Sequence, residues 1–164
     1  MIIKPDNEML SYSGRIDFDD RLAPVLVYAC SSIGMKFTGT SLKAVIVNHR
    51  SCWTNELGYF IDGEQKRFTL SSDEEKKTYT LAENLPEGTH ELLLFKRMDS
   101  CHTFTFYGFE IDDGAKVLAL PEKPKRKMEF FGDSVSCGEV SEAVEYAGKP
   151  DPEHDGEYSN SWYS

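Results

Sequence analysis

The chain of 164 residues is long enough for one hydrophobic core, or for one core and part of another. Its 18 Lys and Arg against 28 Asp and Glu leave a net charge of −10, which argues against phosphate backbones and anionic membrane surfaces as partners. With 40% hydrophobic, 12% aromatic and 28% charged residues the composition is that of a folded protein, and no apolar run approaches the roughly 20 residues of a membrane-spanning helix.

The amino terminus, Met1 to Glu8, has neither the basic nor the apolar region of a secretory signal. That reads as a cytoplasmic protein, with secretion left open should a leader precede Met1. From Met9 to about Leu120 apolar residues recur at short spacings between turn formers, with no sustained helical stripe, which predicts an all-β body. Ile33, Met35 and Phe37 alternate with Gly34, Lys36 and Thr38 as a strand with one wet face should. After Gly39-Thr40, the run Leu42 to Val47 is apolar on both parities in its second half and reads as a central strand.

Asp62-Gly63 offers the two positive φ angles of a type I′ hairpin between Tyr59–Ile61 and Lys66–Leu70. Further strands are predicted at Thr78–Leu81, His90–Arg97 and Thr103–Ile111, the middle one with Leu92-Leu93-Leu94-Phe95 buried on both faces. In the last, Phe104 and Phe106 have one parity and Phe109 and Ile111 the other, so Gly108 marks a β-bulge. Eight or nine short antiparallel strands close most readily as a two-sheet jelly-roll sandwich.

At Pro121 the texture changes. Pro121 to Lys127 holds two prolines and four basic residues with nothing to bury, so residues 1–122 read as the β-domain and 123–127 as a linker. Residues 128–164 then begin a second unit, with a short strand at Lys127–Phe131 expected to pack on the β-body. Between Glu139 and Ser164 seven acids face one base, Lys149, and aliphatic residues are scarce, so this stretch has no core of its own.

Gly132-Asp133-Ser134 follows that expected strand and precedes Val135-Ser136-Cys137-Gly138. A serine at the carboxyl end of a strand, just before a helix, is where an open α/β sheet exposes a reactive group. Ser134 is therefore the candidate nucleophile, and its own N–H a candidate oxyanion donor. Gly132 lets the backbone turn sharply, and Asp133 can brace the turn by accepting backbone hydrogen bonds.

Other residues read more plainly. Cys30, Cys52, Cys101 and Cys137 match no zinc or redox spacing and read as reduced, mostly buried thiols. His49, His90 and His102 lie at strand ends or turns with no ligand spacing, so no metal is expected. Trp53 and Tyr59 could form a sugar-stacking platform, but a core or rim role is the better reading. Asp73-Glu74-Glu75 beside Lys76-Lys77 reads as a solvated loop.

The Gly-Asp-Ser stretch after an apolar run resembles block I of the SGNH (GDSL-type) hydrolases. A wider resemblance is to carbohydrate esterase family 2. It is carried by Gly14 to Phe18, Phe37 to Leu42, Phe60 to Gly63, Met128 to Ser134 with Gly138, and Glu157 to Tyr163. That resemblance implies a jelly-roll domain followed by the first strand and loop of an α/β/α SGNH hydrolase domain, and a serine O-acetylesterase acting on acetylated xylan, mannan or gluco-oligosaccharides without a cofactor.

It also implies that the catalytic histidine and the other oxyanion groups come from a downstream remainder of the catalytic domain, without which little activity is expected. Asp151-Pro152-Glu153-His154 spells the family's D-x-x-H, but His154 stands only 20 positions after Ser134 and reads as a solvated loop histidine. Asn160 reads as a helix cap rather than an oxyanion donor. The alternative reading is a non-catalytic carbohydrate-binding or scaffolding sandwich.

Overall fold

A computed structural model describes residues 1–50 and 54–150. The described residues form twelve strands. The short ones at the amino end are β1 (Ile2–Ile3), β2 (Ser11–Ser13), β3 (Ile16–Asp17) and β4 (Val25–Leu26). The body follows as β5 (Ser32–Thr38), β6 (Leu42–Arg50), β7 (Glu56–Ile61), β8 (Glu64–Thr69) and β9 (Lys77–Ala82). Last come β10 (Thr89–Lys96), β11 (His102–Ile111) and β12 (Val117–Leu118).

All pairings are antiparallel and make two six-stranded sheets. The first is ordered β3-β4-β11-β6-β9 with β1 also on β11; the second is β12-β5-β10-β7-β8 with β2 also on β5. From β5 onward the chain changes sheet at almost every step, only the β7–β8 hairpin staying within one. This is a β-sandwich. The two-residue strands went unread in the sequence because their pairing is dictated by a neighbour's free edge, which they cover in place of water.

The inner faces supply the core. Ile33, Met35 and Phe37 of β5 meet Leu42, Ala44 and Ile46 of β6, Leu57 of β7, Leu94 of β10 and Phe104, Phe106 and Phe109 of β11, all fully buried. The expected hairpin is present, with Asp62 at φ 51° and Gly63 at φ 84°. The expected bulge is present too. The β11–β6 register shifts between Phe106 and Gly108, which puts Phe106 and Phe109 on one face with ring centroids 4.7 Å apart. Gly108 sits at φ 127°, where an added Cβ would fall 2.3 Å from the Ile3 carbonyl oxygen of β1.

At the sheet junction, Asp112 accepts the Thr40 amide at 2.5 Å and the Ser41 amide at 3.1 Å. Both hydroxyls also donate to it, Ser41 most strongly, and these bonds hold its carboxyl down at about 2.

Three expectations need correction. Leu93 is not buried: β10 sends Leu92 and Leu94 inward, and Leu93, on the opposite parity, is 41% exposed. Cys30 and Cys101 are exposed and Cys137 half-buried, because they sit in turns and not in strands; Cys52 lies outside the described residues. Residues 127–131 form no strand, and Met128, Phe130 and Phe131 are 70%, 85% and 82% exposed. An apolar run makes a strand only beside a strand that will pair with it, and among the described residues none lies there.

Candidate functional site

Ser134 opens a run of successive turns over residues 134–142, followed by a single 3-10 turn at Val144–Tyr146. Asp133 precedes the run and behaves as a cap. Its Oδ1 accepts the amides of Val135 at 3.1 Å and Ser136 at 3.4 Å, and its carbonyl accepts that of Cys137 at 3.2 Å. The Ser134 carbonyl takes the Cys137 and Glu139 amides. At Gly132 the backbone passes so near Ser136 that a Cβ would fall 2.4 Å from that residue's Cβ. Here glycine answers a close approach.

The result is a tight turn that holds Ser134 half-exposed between an exposed Asp133 and an exposed Val135. Among the described residues, none bonds to its hydroxyl and none accepts from its amide. Cys137, three residues on, brings a thiol to the same turn. Burial pushes its thiol pKa up, the charges of Cys30 and Asp99 add to that, and Lys96 opposes it, so it stays protonated near neutral pH.

The described histidines are committed within the sandwich. His49 Nε2 lies 2.8 Å from Thr105 Oγ1, His90 sits between Asp62 and the Pro86 carbonyl, and His102 Nδ1 is 3.2 Å from Asp99. The turn therefore gathers Gly132, Asp133 and Ser134 but sets none of these rings beside the hydroxyl. Among the described residues no cluster of His, Cys, Asp or Glu could hold a metal ion. His154 and Asn160 lie outside the described residues, as does Trp53. Tyr59 is a core residue, 6% exposed, its hydroxyl donating to the Leu81 carbonyl at 2.8 Å and its ring edge-on to Phe68. Asp73, Glu74 and Glu75 are exposed, with Asp73 paired to Lys77.

A cavity of about 450 Å³ lies elsewhere, on the outer face of the second sheet, floored by Gly34, Phe60 and Leu93 and walled by Ser11, Leu120 and Lys123. Ser134 does not line it.

One tie that sequence spacing could not reveal joins the turn to the sandwich. Glu142 Oε2 accepts from Arg97 Nη2 at 2.5 Å and from Arg67 Nη1 at 2.8 Å.

Comparison with known proteins places this architecture. The family described as Carbohydrate esterase 2 N-terminal matches residues 12–121. The chain is 31% identical over 154 residues to the Cellulase/esterase CelE of Acetivibrio thermocellus, covering 93% of this chain and 18% of that protein. It is 44% identical over 57 residues to the Acetylxylan esterase / glucomannan deacetylase of Cellvibrio japonicus, covering 34% of this chain and 16% of that protein. The chain thus spans about a fifth of the length of these relatives or less.

Among solved structures, a family two carbohydrate esterase from Clostridium thermocellum, in complex with cellohexaose, superposes with a TM-score of 0.78 at 28% identity. The match covers 93% of this chain and 44% of that one. A family 35 carbohydrate binding module from an environmental isolate shares the fold alone, with a TM-score of 0.56 at 14% identity over 74% of this chain and 99% of its own. With more than half of its residues inside the matched domain, the chain belongs to the carbohydrate esterase 2 N-terminal family.

Proposed function

We propose that this chain is the amino-terminal portion of a serine carbohydrate O-acetylesterase: a jelly-roll sandwich, a linker at 123–127, and from residue 128 the opening of an SGNH hydrolase unit that carries the nucleophile. The observation that carries this reading is the likeness to CelE. It runs through 93% of the chain, well past the 12–121 sandwich.

In the longer protein the Ser134 hydroxyl attacks the acetyl carbonyl of an acetylated xylo-, manno- or gluco-saccharide. A histidine from the downstream remainder of the catalytic domain takes its proton, and the Ser134 N–H steadies the oxyanion. That histidine then activates water to release acetate, and no cofactor is needed. Gly132 and Asp133 support the turn. The chain alone hydrolyses little, since a serine without its base is a poor nucleophile near neutral pH.

The test is hydrolysis of p-nitrophenyl acetate and acetylated xylan by the longer protein and its Ser134→Ala variant. Loss of activity in the variant is expected, and a parent that cleaves no acetyl ester overturns the reading. The fold shared with a carbohydrate binding module favours one rival, a sandwich that only binds. Such a protein would bind xylan or manno-oligosaccharides and be indifferent to Ser134→Ala.

A further inference from the structure

Arg97 is buried where an arginine is usually wet. It follows β10 on the same parity as Glu91, Leu93 and Phe95, the outer face of the second sheet, yet its side chain is 1% exposed. A guanidinium is buried at tolerable cost only when its charge is answered. One answering carboxylate comes from 45 residues further along the chain, where Glu142 Oε2 takes the Arg97 bond at 2.5 Å.

The same oxygen accepts from Arg67 of β8, and Arg67 in turn lies 3.6 Å from Glu56 of β7. Two arginines and two glutamates thus alternate across the outer face of β10, β7 and β8. Ala143, beside Glu142, is 7% exposed, so the segment is seated as well as paired.

Glu142 stands eight residues after Ser134. The residues between have little slack, because backbone bonds tie Cys137 and Glu139 to Ser134, Ser141 to Gly138 and Ala143 to Val140. On the other side of Ser134, the ties from residues 127–133 to the sandwich are looser. They are an Arg15–Glu129 pair with side chains 64% and 62% exposed, and the Arg15 guanidinium 5.9 Å from the Phe131 ring centre. Exposed pairs of that kind restrain little.

We propose that Glu142, clamped between Arg97 and Arg67, is a positioning residue that fixes the Ser134 turn against the outer face of the second sheet. This rests on reading Ser134 as the nucleophile. It makes the sandwich part of the frame that aims the hydroxyl, since a small misplacement of a nucleophile is costly to the rate.

Hydrogen exchange on the 164-residue chain and its Glu142→Gln variant tests the clamp. Amides across 134–143 should exchange about tenfold faster or more, while those of β5, β6, β10 and β11 keep their protection. Arg97→Met, which keeps the side-chain volume and removes the charge, should reproduce this.

In the longer protein Glu142→Gln should lower kcat on p-nitrophenyl acetate about tenfold with KM unchanged, and Glu142→Asp should restore part of it. Unchanged exchange at 134–143 in both variants, acceleration through the whole sandwich, or an unchanged kcat would each overturn the proposal. A parent without esterase activity whose variants still show the local exchange gain sinks the esterase reading and leaves the clamp standing.

Discussion

Asp62 and His90 lock the β7–β8 hairpin to the start of β10: Asp62 Oδ2 lies 2.6 Å from His90 Nδ1, while its Oδ1 accepts the Glu91 amide at 2.9 Å. Burial of the ring would push the His90 pKa down. The bond to Asp62, the Pro86 carbonyl and the charge of Asp62 outweigh this and raise it above 6.5. For Asp62, burial pushes upward, but the His90 and Glu91 bonds win and hold its pKa below 3.8.

The His90 contribution is thus complete below about pH 6.5 and fades as pH rises through the raised value, while that of Asp62 is lost as pH falls through its lowered one. Asp62→Asn suits the hairpin's positive φ and removes the charge together with one of the two acceptor oxygens. The His90 pKa, followed by NMR, should fall in this variant, and stability at pH 5 should drop by up to about 1 kcal/mol. An unmoved His90 titration would contradict the pairing.

Lys96 should give the opposite slope with pH. Its side chain is fully buried and its Nζ donates to the Met98 and Asp99 carbonyls; burial pushes its pKa down to about 8 against the ordinary 10.5, with the charge of Asp99 opposing. The unfolded chain therefore holds the proton more tightly, so stability should rise with pH between about 8 and 10.5. Lys96→Met should flatten that rise in urea unfolding curves measured across this window. A parallel rise in both proteins would place the effect elsewhere.

Gly108→Ala and Gly63→Ala separate backbone strain from collision. Both glycines have positive φ, 127° and 84°, but nothing lies within 4 Å of a Cβ at Gly63, whereas at Gly108 the Ile3 carbonyl oxygen is 2.3 Å away. Gly63→Ala should cost about 1 kcal/mol from strain alone. Gly108→Ala should cost at least about 2 kcal/mol and release β1 from β11, seen as faster exchange of the Ile3 amide. Equal losses in urea titrations would show that the approach of Ile3 carries no energy.

Asp133→Ala should loosen the Ser134 turn without touching the sandwich. Loss of a cap costs about 1 kcal/mol, felt at the Val135 and Ser136 amides that bond to Asp133 Oδ1. Asp133→Asn keeps an acceptor there and should stay near the parent. Exchange at those amides reads the difference directly, and identical behaviour of Ala and Asn would argue that the carboxylate caps nothing.

The readable part of this molecule is the part written in local spacing. The alternation of Ile33, Met35 and Phe37, the Asp62-Gly63 pair and the parity change across Gly108 each state a backbone geometry within a few residues, and each is found. The Asp133 cap belongs to the same class, since its acceptor reaches only two and three residues ahead. What escaped reading depends on distant chain. Whether Leu93 is wet depends on which sheet face lacks a cover, and Arg97 is buried because Glu142 arrives from 45 residues away. Lys127–Phe131 has a strand's composition but no strand beside it.

The weaving of the chain between sheets has a consequence for its birth. β6 has β9 and β11 as neighbours, and the Met1 amino group bonds to the Ile111 carbonyl, 110 positions later. During synthesis, then, the early strands emerge with their edges bare and wait for β11 before the first sheet can close. Such wiring folds slowly, because loops must be closed at an entropic cost before any pairing rewards them. The Ser134 turn leaves the ribosome after β7, β8 and β10, so every strand of its seat has been made before it.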